Sequence, residues 1–338
     1  VIRFAGTSAA GARFARSVAT CVARQGSFMR IIVTGGAGFI GSHVADAYLA
    51  AGHEVVAVDS LWAHGGGRRD NLPAKAGFIH LDIRDPGIER VFRDFTPDIV
   101  SHHAAQHSVA ISARDPQLDA QVNVLGLINV LENCVRAKVK KVIFASSGAT
   151  YGEPAHLPAN ERTPQLPESP YAITKMVAEH YLRFYRAQHG LDFTALRYGN
   201  VYGPRQDPNG EAGVISIFIG KFLAEQGIKI YWDGDQTRDY VFVKDVAQLN
   251  VAALDKGGGS CYAIGTGKRT SVNEIYRALA DVTGFEAPIE WNDRRPGDVR
   301  DAQFDSSLAK AELGWEAETS IVEGMRQTVE YFSGRTTA

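Results

Sequence analysis

The sequence predicts an α/β protein, a doubly wound parallel sheet with a smaller, partly discontinuous α/β region beside it. Three observations point there. Apolar runs of strand type alternate with helical patterns from Met29 to about residue 196. The first such run, Arg30 to Thr34, ends in the glycine turn Gly35-Gly36-Ala37-Gly38-Phe39-Ile40-Gly41, and a helical pattern follows at once. Thr34, Asp59, Asp82, His102 and Ser146 all close strand-type runs. In such sheets the carboxyl ends of the strands form the ligand crevice.

In chain order, Gly35, Gly38 and Gly41 give the spacing G-x-x-G-x-x-G. The first glycine allows a sharp turn, the second lets the backbone approach a pyrophosphate, and the third lets helix pack on strand. The helix N-terminus adds free N–H groups and a positive dipole end. This is a Rossmann-type turn. Its helix runs from Phe39 to about Ala51 and stops at Gly52. Strands follow at Glu54 to Val58 and Phe78 to Leu81, then a short helix over Gly87 to Phe95 and a strand at Asp98 to Ser101. Asp115-Pro116 has the cap-and-proline form of a helix start, and that helix reaches about Ala137. A strand at Lys141 to Ala145 precedes a second cap-and-proline start, Ser169-Pro170, whose helix reaches about His189. Phe193 to Leu196 is the next strand.

After Arg197 the loops lengthen, with Pro204, Pro208, Gly210 and Gly213, as in a substrate-capping region. Asp239 to Val243 and Tyr262 to Ile264 look like strands that return to the main sheet. The expected division is therefore a dinucleotide-binding domain of residues 29–196 plus about 237–264. The substrate region takes about 197–236 plus 265–335. Residues 1–28 contain Arg3, Arg13, Arg16 and Arg24 and no Asp or Glu. Such a leader has the form of a transit peptide, or it precedes a true start at Met29. The second reading is preferred because Met29 opens the first strand directly.

Composition narrows the class. Of 338 residues 45% are apolar, enough for a full core, and the net charge of -2 gives no electrostatic case for nucleic acid or an anionic membrane. Cys21, Cys134 and Cys261 lie far apart without a C-x-x-C pair. That argues against a disulfide framework or a structural zinc site and for a reducing, cytoplasmic setting. No apolar run has the length of a membrane span.

Asp59 ends the second strand, where a carboxylate accepts hydrogen bonds from the adenosine ribose and repels a 2'-phosphate. It favours NAD over NADP, although Arg68 and Arg69 follow it. The plain alternative is a turn aspartate. Tyr171 and Lys175 are four apart on a predicted helix and share a face. A nearby ammonium and a positive nicotinamide ring would lower the phenol's pKa and make it a base for a sugar hydroxyl. Such a pair on an arbitrary helix is surface packing; here it opens the helix after the fifth strand. Ser146 and Ser147 close that strand, where a hydroxyl could relay the proton; the plain alternative is a turn serine.

Together with the glycine turn, several later stretches carry a family resemblance. They are Ser146-Ser147 before Tyr151-Gly152, Pro170-Tyr171-Ala172-Ile173-Thr174-Lys175, Leu196-Arg197-Tyr198-Gly199-Asn200, Gln236-Thr237-Arg238-Asp239-Tyr240, Gly265-Thr266-Gly267 and Arg294-Arg295-Pro296-Gly297-Asp298. From Met29 to about residue 333 the chain resembles the extended short-chain dehydrogenase/reductases, and among them the UDP-glucose 4-epimerases. The resemblance implies NAD-dependent 4-epimerisation of a UDP-hexose through a 4-keto intermediate. UDP-N-acetylglucosamine or UDP-glucuronate is the alternative substrate. It assigns Tyr171 as base, Ser147 as proton relay and Lys175 to the nicotinamide ribose. Gly35, Gly38, Phe39, Ile40, Gly41, Asp59, Asp82, Ile83, Ala104 and Ala105 are the further cofactor contacts it implies. Asn200, Tyr231, Arg238, Arg295, Asp298 and Ala302 are its substrate contacts. Asn200, Arg238 and Arg295 would hold the pyrophosphate and Asp298 the uridine ribose. It also implies a homodimer through the helices of about residues 116–137 and 170–189.

Gly148 and Ala149 follow Ser147, where the family's 4,6-dehydratases carry an Asp-Glu pair, so elimination is disfavoured. The chain departs from the epimerase pattern at His107, Trp232 and Ala263. Ala302 falls at the position that gates sugar size, and a small residue there leaves room for an N-acetyl group. His64-Gly65-Gly66-Gly67 mimics an oxyanion loop, but no G-x-S-x-G elbow accompanies it. His102, His103 and His107 have no adjoining carboxylate or cysteine and are expected as core or neighbouring residues, with no metal. A non-catalytic NAD-binding sensor is the reading from a different class; intact Ser147, Tyr171 and Lys175 count against it.

Overall fold

The computed structural model describes residues 28–208, 213–294 and 299–336. The chain opens with β1 (Arg30–Thr34), α1 (Phe39–Ala50), β2 (Glu54–Asp59), β3 (Gly77–His80), α2 (Ile88–Phe95) and β4 (Ile99–His102). Next comes α3 (Val109–Arg114). A continuous rod follows, made of α4 (Pro116–Ala120), a π-helical turn (Gln121–Leu125) and α5 (Gly126–Arg136), and then β5 (Lys141–Ser147), α6 (Pro170–His189) and β6 (Asp192–Tyr198). The remainder is β7 (Asn200–Tyr202), α7 (Val214–Leu223), β8 (Ile228–Tyr231), β9 (Thr237–Arg238), β10 (Tyr240–Phe242), α8 (Val243–Ala252) and β11 (Ser260–Ile264). It ends with β12 (Thr270–Ser271), α9 (Val272–Thr283), β13 (Ile289–Asn292), α10 (Ser307–Leu313) and α11 (Ile321–Thr336).

Seven parallel strands form the main sheet in the order β3-β2-β1-β4-β5-β6-β11. Chain order reverses at β1, so the crevice lies beyond the carboxyl ends of β1 and β4. Side chains alternate across a strand, which gives the sheet two cores. Ile31 and Val33 of β1 pack with Val44 and Tyr48 of α1 and with Val246 and Leu249 of α8. Ile32 points the other way, toward Phe92 of α2, Leu131 of α5 and Leu182 of α6. A third core, with Phe218, Phe222, Ile230, Ile275 and Met325, supports the smaller region.

Both cap-and-proline starts stand where the sequence placed them. Asp115 accepts the Leu118 N–H at 2.9 Å, and Ser169 accepts that of Ala172 at 3.2 Å. α6 stops at Gly190, whose φ of 69° suits glycine. Helix α3 is an addition that the sequence reading lacked. Among the described residues no helix is long and apolar enough to cross a membrane.

One expected strand is misplaced. Of the two strands expected to return to the main sheet, only β11 does so; β10 pairs in parallel with β7 in a separate two-stranded sheet. The reason is occupancy. β11 already covers the open edge of β6 from Thr194 to Tyr198. The chain steps off the sheet at Gly199, and Asn200 then donates its N–H to the Asp239 carbonyl at 2.9 Å.

Candidate active site

A cleft of about 730 Å³ opens at the carboxyl ends of β1, β2, β4, β5 and β6. It gathers Gly35, Gly38, Phe39, Ile40, Gly41, Asp59, Asp82, Ile83, Ala104, Ala105, Ser147, Tyr171, Lys175 and Asn200. Three expected substrate residues stand outside that lining. Tyr231 ends β8, Arg238 lies on β9, and Ala302 donates its N–H to the Thr237 carbonyl at 3.1 Å, so Arg238 and Ala302 are neighbours. Arg238 Nη1 donates to the carbonyls of Thr237 and Arg300 at 2.9 and 3.4 Å. Arg295 and Asp298 lie outside the described residues.

The glycine turn fits a dinucleotide on spatial grounds. Gly35 has φ 68°, and a Cβ on it would lie 2.6 Å from the Ala104 nitrogen. A Cβ on Gly41 would lie 2.2 Å from the Gly35 carbonyl oxygen. Gly38 caps α1 without a side chain, which leaves the first-turn N–H groups to be satisfied from the cleft. Asp59 makes the contacts of a turn aspartate. Its Oδ1 accepts the Leu61 N–H at 2.8 Å and its Oδ2 that of Ala37 at 3.0 Å. A carboxylate has about four lone-pair positions, so ribose hydroxyls can still be accepted. Arg68 faces Asp70, and Arg69 lies over the Phe78 ring, so both guanidiniums are directed to other partners.

Lys175 Nζ donates to the Ala145 carbonyl at 2.8 Å and lies 5.8 Å from the centre of the Tyr171 ring. Burial draws its pKa down to about 8, with the Asp119 carboxylate opposing. At Tyr171 burial dominates. Its pKa is raised, because burial of the phenolate outweighs the lowering effect of the Ser147 hydroxyl, and Asp119 adds to the rise. Charge on Lys175 does not lead the balance, since its ammonium is turned onto the Ala145 carbonyl.

Two buried networks escaped the sequence reading. Asp119 accepts from Gln106 Nε2 at 2.7 Å, Asn123 Nδ2 at 3.0 Å and Thr174 Oγ1 at 2.8 Å. The π-helical turn places Asn123 inside, where its Oδ1 accepts the Gln106 N–H at 2.8 Å. This joins the loop after β4 to α6, next to Lys175. Glu179 accepts from Arg197 Nε and Nη2 at 2.9 and 2.6 Å and from Ser146 Oγ at 2.7 Å. Arg197 also donates to Tyr151 Oη at 3.0 Å. The only signal in the sequence was position: Glu179 falls four residues after Lys175 on one helix face. Of the three histidines His102 is in the core, while His103 is part-buried and His107 exposed, both on the cleft lining. His102 Nδ1 shares a hydrogen bond with Thr34 Oγ1 at 2.8 Å and His103 Nε2 one with Ser101 Oγ at 2.9 Å. Burial draws both pKa values down to about 3, with Lys175 adding to it.

The model of the NAD dependent epimerase/dehydratase family matches residues 31–265. The chain belongs to that family. A UDP-glucose 4-epimerase of Mycolicibacterium smegmatis is 43% identical over 314 residues, covering 91% of this chain and 99% of the relative. A putative UDP-glucose 4-epimerase of Methanocaldococcus jannaschii is 43% identical over 302 residues, 89% of this chain and 97% of the relative. Among solved structures, the Thermotoga maritima UDP-glucose 4-epimerase with UDP-glucose has a TM-score of 0.88 at 44% identity, covering 91% of this chain and 100% of that one. The Thermus thermophilus enzyme with NAD has a TM-score of 0.85 at 43% identity, covering 90% and 99%. The family's cofactor is NAD.

Gly41→Ala puts a methyl group against the Gly35 carbonyl oxygen. Calorimetric titration of the variant is expected to show NAD affinity reduced by about tenfold or more, roughly 1.4 kcal/mol. Unchanged affinity would remove this turn from the pyrophosphate site.

Proposed function

We propose that the chain is an NAD-dependent 4-epimerase of UDP-hexoses that interconverts UDP-glucose and UDP-galactose by transient oxidation at C4. The observation that carries it is the meeting of Ser147, Tyr171 and Lys175 beside the dinucleotide turn, with Gly148 and Ala149 in place of acid–base side chains. Gly35, Gly38 and Gly41 would hold the NAD pyrophosphate, Asp59 the adenosine ribose and Lys175 the nicotinamide ribose. When bound, NAD supplies reversible hydride exchange with C4 of the sugar.

The protein's part is proton transfer and anchoring. Tyr171 takes the proton of the sugar 4-hydroxyl, directly or through Ser147, and later returns it to the opposite configuration. Burial opposes tyrosinate, so Ser147, Lys175 and a positive nicotinamide must together favour it. The 4-keto sugar turns over in the pocket between the two transfers. Binding energy therefore belongs on the nucleotide, which Asn200, Tyr231, Arg238, Arg295 and Asp298 would grip. A purely NAD-binding sensor would have no use for a serine, a tyrosine and a lysine gathered beside the dinucleotide turn.

A second substrate reading rests on Ala302, a small side chain that packs beside Tyr151, Ala159, Ala263 and Phe304 at the position to which the family resemblance assigns the choice of sugar size. It favours acceptance of UDP-N-acetylglucosamine. A 34% identical neighbour, from Methanobrevibacter ruminantium, is described as a UDP-N-acetylglucosamine 4-epimerase. A homodimer in the cytoplasm completes the proposal. Leu125 on the α4–α5 rod and Ile173 and Phe184 on α6 are 60%, 45% and 52% exposed, an apolar surface that a second copy would cover.

Three tests follow from this. Tyr171→Phe is expected to keep NAD and lose at least about a hundredfold in kcat, read by NMR of the UDP-galactose product; near-normal turnover would exclude Tyr171 as the base. Ala302→Tyr should cut UDP-N-acetylglucosamine turnover by about tenfold or more while UDP-glucose changes less than about threefold. Equal losses would contradict the gate. Phe184→Glu should shift a dimer toward monomer in sedimentation velocity, whereas a monomeric parent protein would refute the interface.

A further inference from the structure

Three glycines stand at the open ends of neighbouring strands: Gly148 after β5, Gly199 after β6 and Gly265 after β11. None has the left-handed backbone that calls for glycine. Space calls for it instead, and one ring occupies much of that space. A Cβ on Gly148 would lie 2.3 Å from Phe304 Cζ, and one on Gly199 would lie 3.1 Å from Phe304 Cδ2. A Cβ on Gly265 would lie 3.0 Å from Phe304 Cβ and 2.5 Å from Asp239 Oδ2.

Phe304 is 4% exposed and is pinned from several directions. Its N–H donates to Asp239 Oδ2 at 3.1 Å. Asp239 is fully buried and also accepts the Thr266 N–H, the Thr266 hydroxyl and the Gly267 N–H. On either side, Ala159 donates to the Gln303 carbonyl at 2.8 Å and Asp305 donates to the Ala159 carbonyl at 2.9 Å. The ring centre lies 5.9 Å from that of Tyr151. The turn from Ser147 to Tyr151 is thus held on one side by Arg197, through Tyr151 Oη, and on the other by Phe304. Phe304 touches Gly148, the residue directly after the serine that lines the cleft with Tyr171.

We propose that Phe304 is a positioning and reaction-restricting residue: its ring holds the Ser147–Tyr151 turn so that the Ser147 hydroxyl meets Tyr171, and it fills the space that an acid–base side chain at position 148 would need. The inference rests on the epimerase reading and deepens it. Loss of water from a 4-keto sugar needs a base for one proton and an acid for the departing hydroxyl. With position 148 closed by Phe304 and alanine at 149, Tyr171 has no acid–base partner beside Ser147 and the ketone is confined to reduction.

The test uses the full-length chain with NAD bound and UDP-galactose as substrate. Phe304→Ala is expected to lower kcat by about tenfold to a hundredfold, the scale of a small misplacement of a reacting group. KM should stay within about twofold, because the nucleotide grip is untouched. The groups facing Tyr171 are Ser147 from β5, Asp119 from α4 and Lys175 on its own helix. Of these only Ser147 sits on the turn that Phe304 packs against, so displacement of its hydroxyl should raise the midpoint of the kcat–pH profile by about half a pH unit or more. In a Ser147→Ala background, Phe304→Ala should add less than about a twofold loss. Should Phe304→Ala fail to fold, Phe304→Leu and Gly148→Ala carry the same expectation, the latter by crowding the ring. Unchanged kcat and pH midpoint in the folded variants, or an equal loss on top of Ser147→Ala, would overturn the proposal alone. A wild-type protein that turns over no UDP-sugar would contradict the epimerase reading and this inference with it.

Discussion

The buried ion pair between Arg197 and Glu179 is the constraint on which the rest of the site depends. The two side chains are 4% and 1% exposed. Two charges removed from water cost several kcal/mol each, and only complete hydrogen bonding recovers that. Here it is nearly complete: Ser146 and Gln165 serve the carboxylate, and Tyr151 serves the guanidinium. Burial alone would raise the pKa of Glu179, but the bonds and charge of Arg197 leave it lowered. A lowered carboxylate stabilises the fold above its unfolded pKa, and that contribution fades as pH falls through the folded value. One pair therefore fixes α6 against β6 and against the end of β5. Those are the elements that carry Tyr171, Lys175 and Ser147.

Burial sets the chemistry as much as it sets the geometry. It draws Lys175 down to about 8 and raises Tyr171, so both charged forms are disfavoured in the same place. A low-dielectric site of this kind magnifies any positive charge brought beside the phenol. In the proposed reaction Tyr171 would become an effective base only as the site fills, which would couple proton transfer to substrate and cofactor. Asp119, with three hydrogen-bond donors of its own, steadies Thr174 and so the turn of α6 that bears Lys175.

Much of this was legible in the sequence because it is local. The glycine turn, the caps at Asp115 and Ser169 and the strand ends at Asp59 and Ser147 follow from the chemistry of a few adjacent residues. What was not legible depends on distant partners. The sheet that takes β10 is decided by β11, which has already claimed the edge of β6. Glu179 and Asp119 look like ordinary helix-surface charges until tertiary packing encloses them. Burial at Tyr171, which raises its pKa, has no signature in a Y-x-x-x-K spacing. Trp232, unusual for standing where the family resemblance expects glycine, has φ 63°, a costly conformation for a bulky residue. Guanidiniums of Arg294 and Arg300 over its ring, 4.4 and 4.6 Å from the centre, help to hold it there.

The central claim is that the sugar is oxidised and reduced at one carbon without exchange with water. Incubation of the NAD-bound protein with UDP-galactose deuterated at C4, followed by NMR of the product, tests it most directly. The account predicts UDP-glucose that keeps its deuterium at C4. Product in which C4 carries solvent hydrogen, or no change of configuration at all, would contradict it.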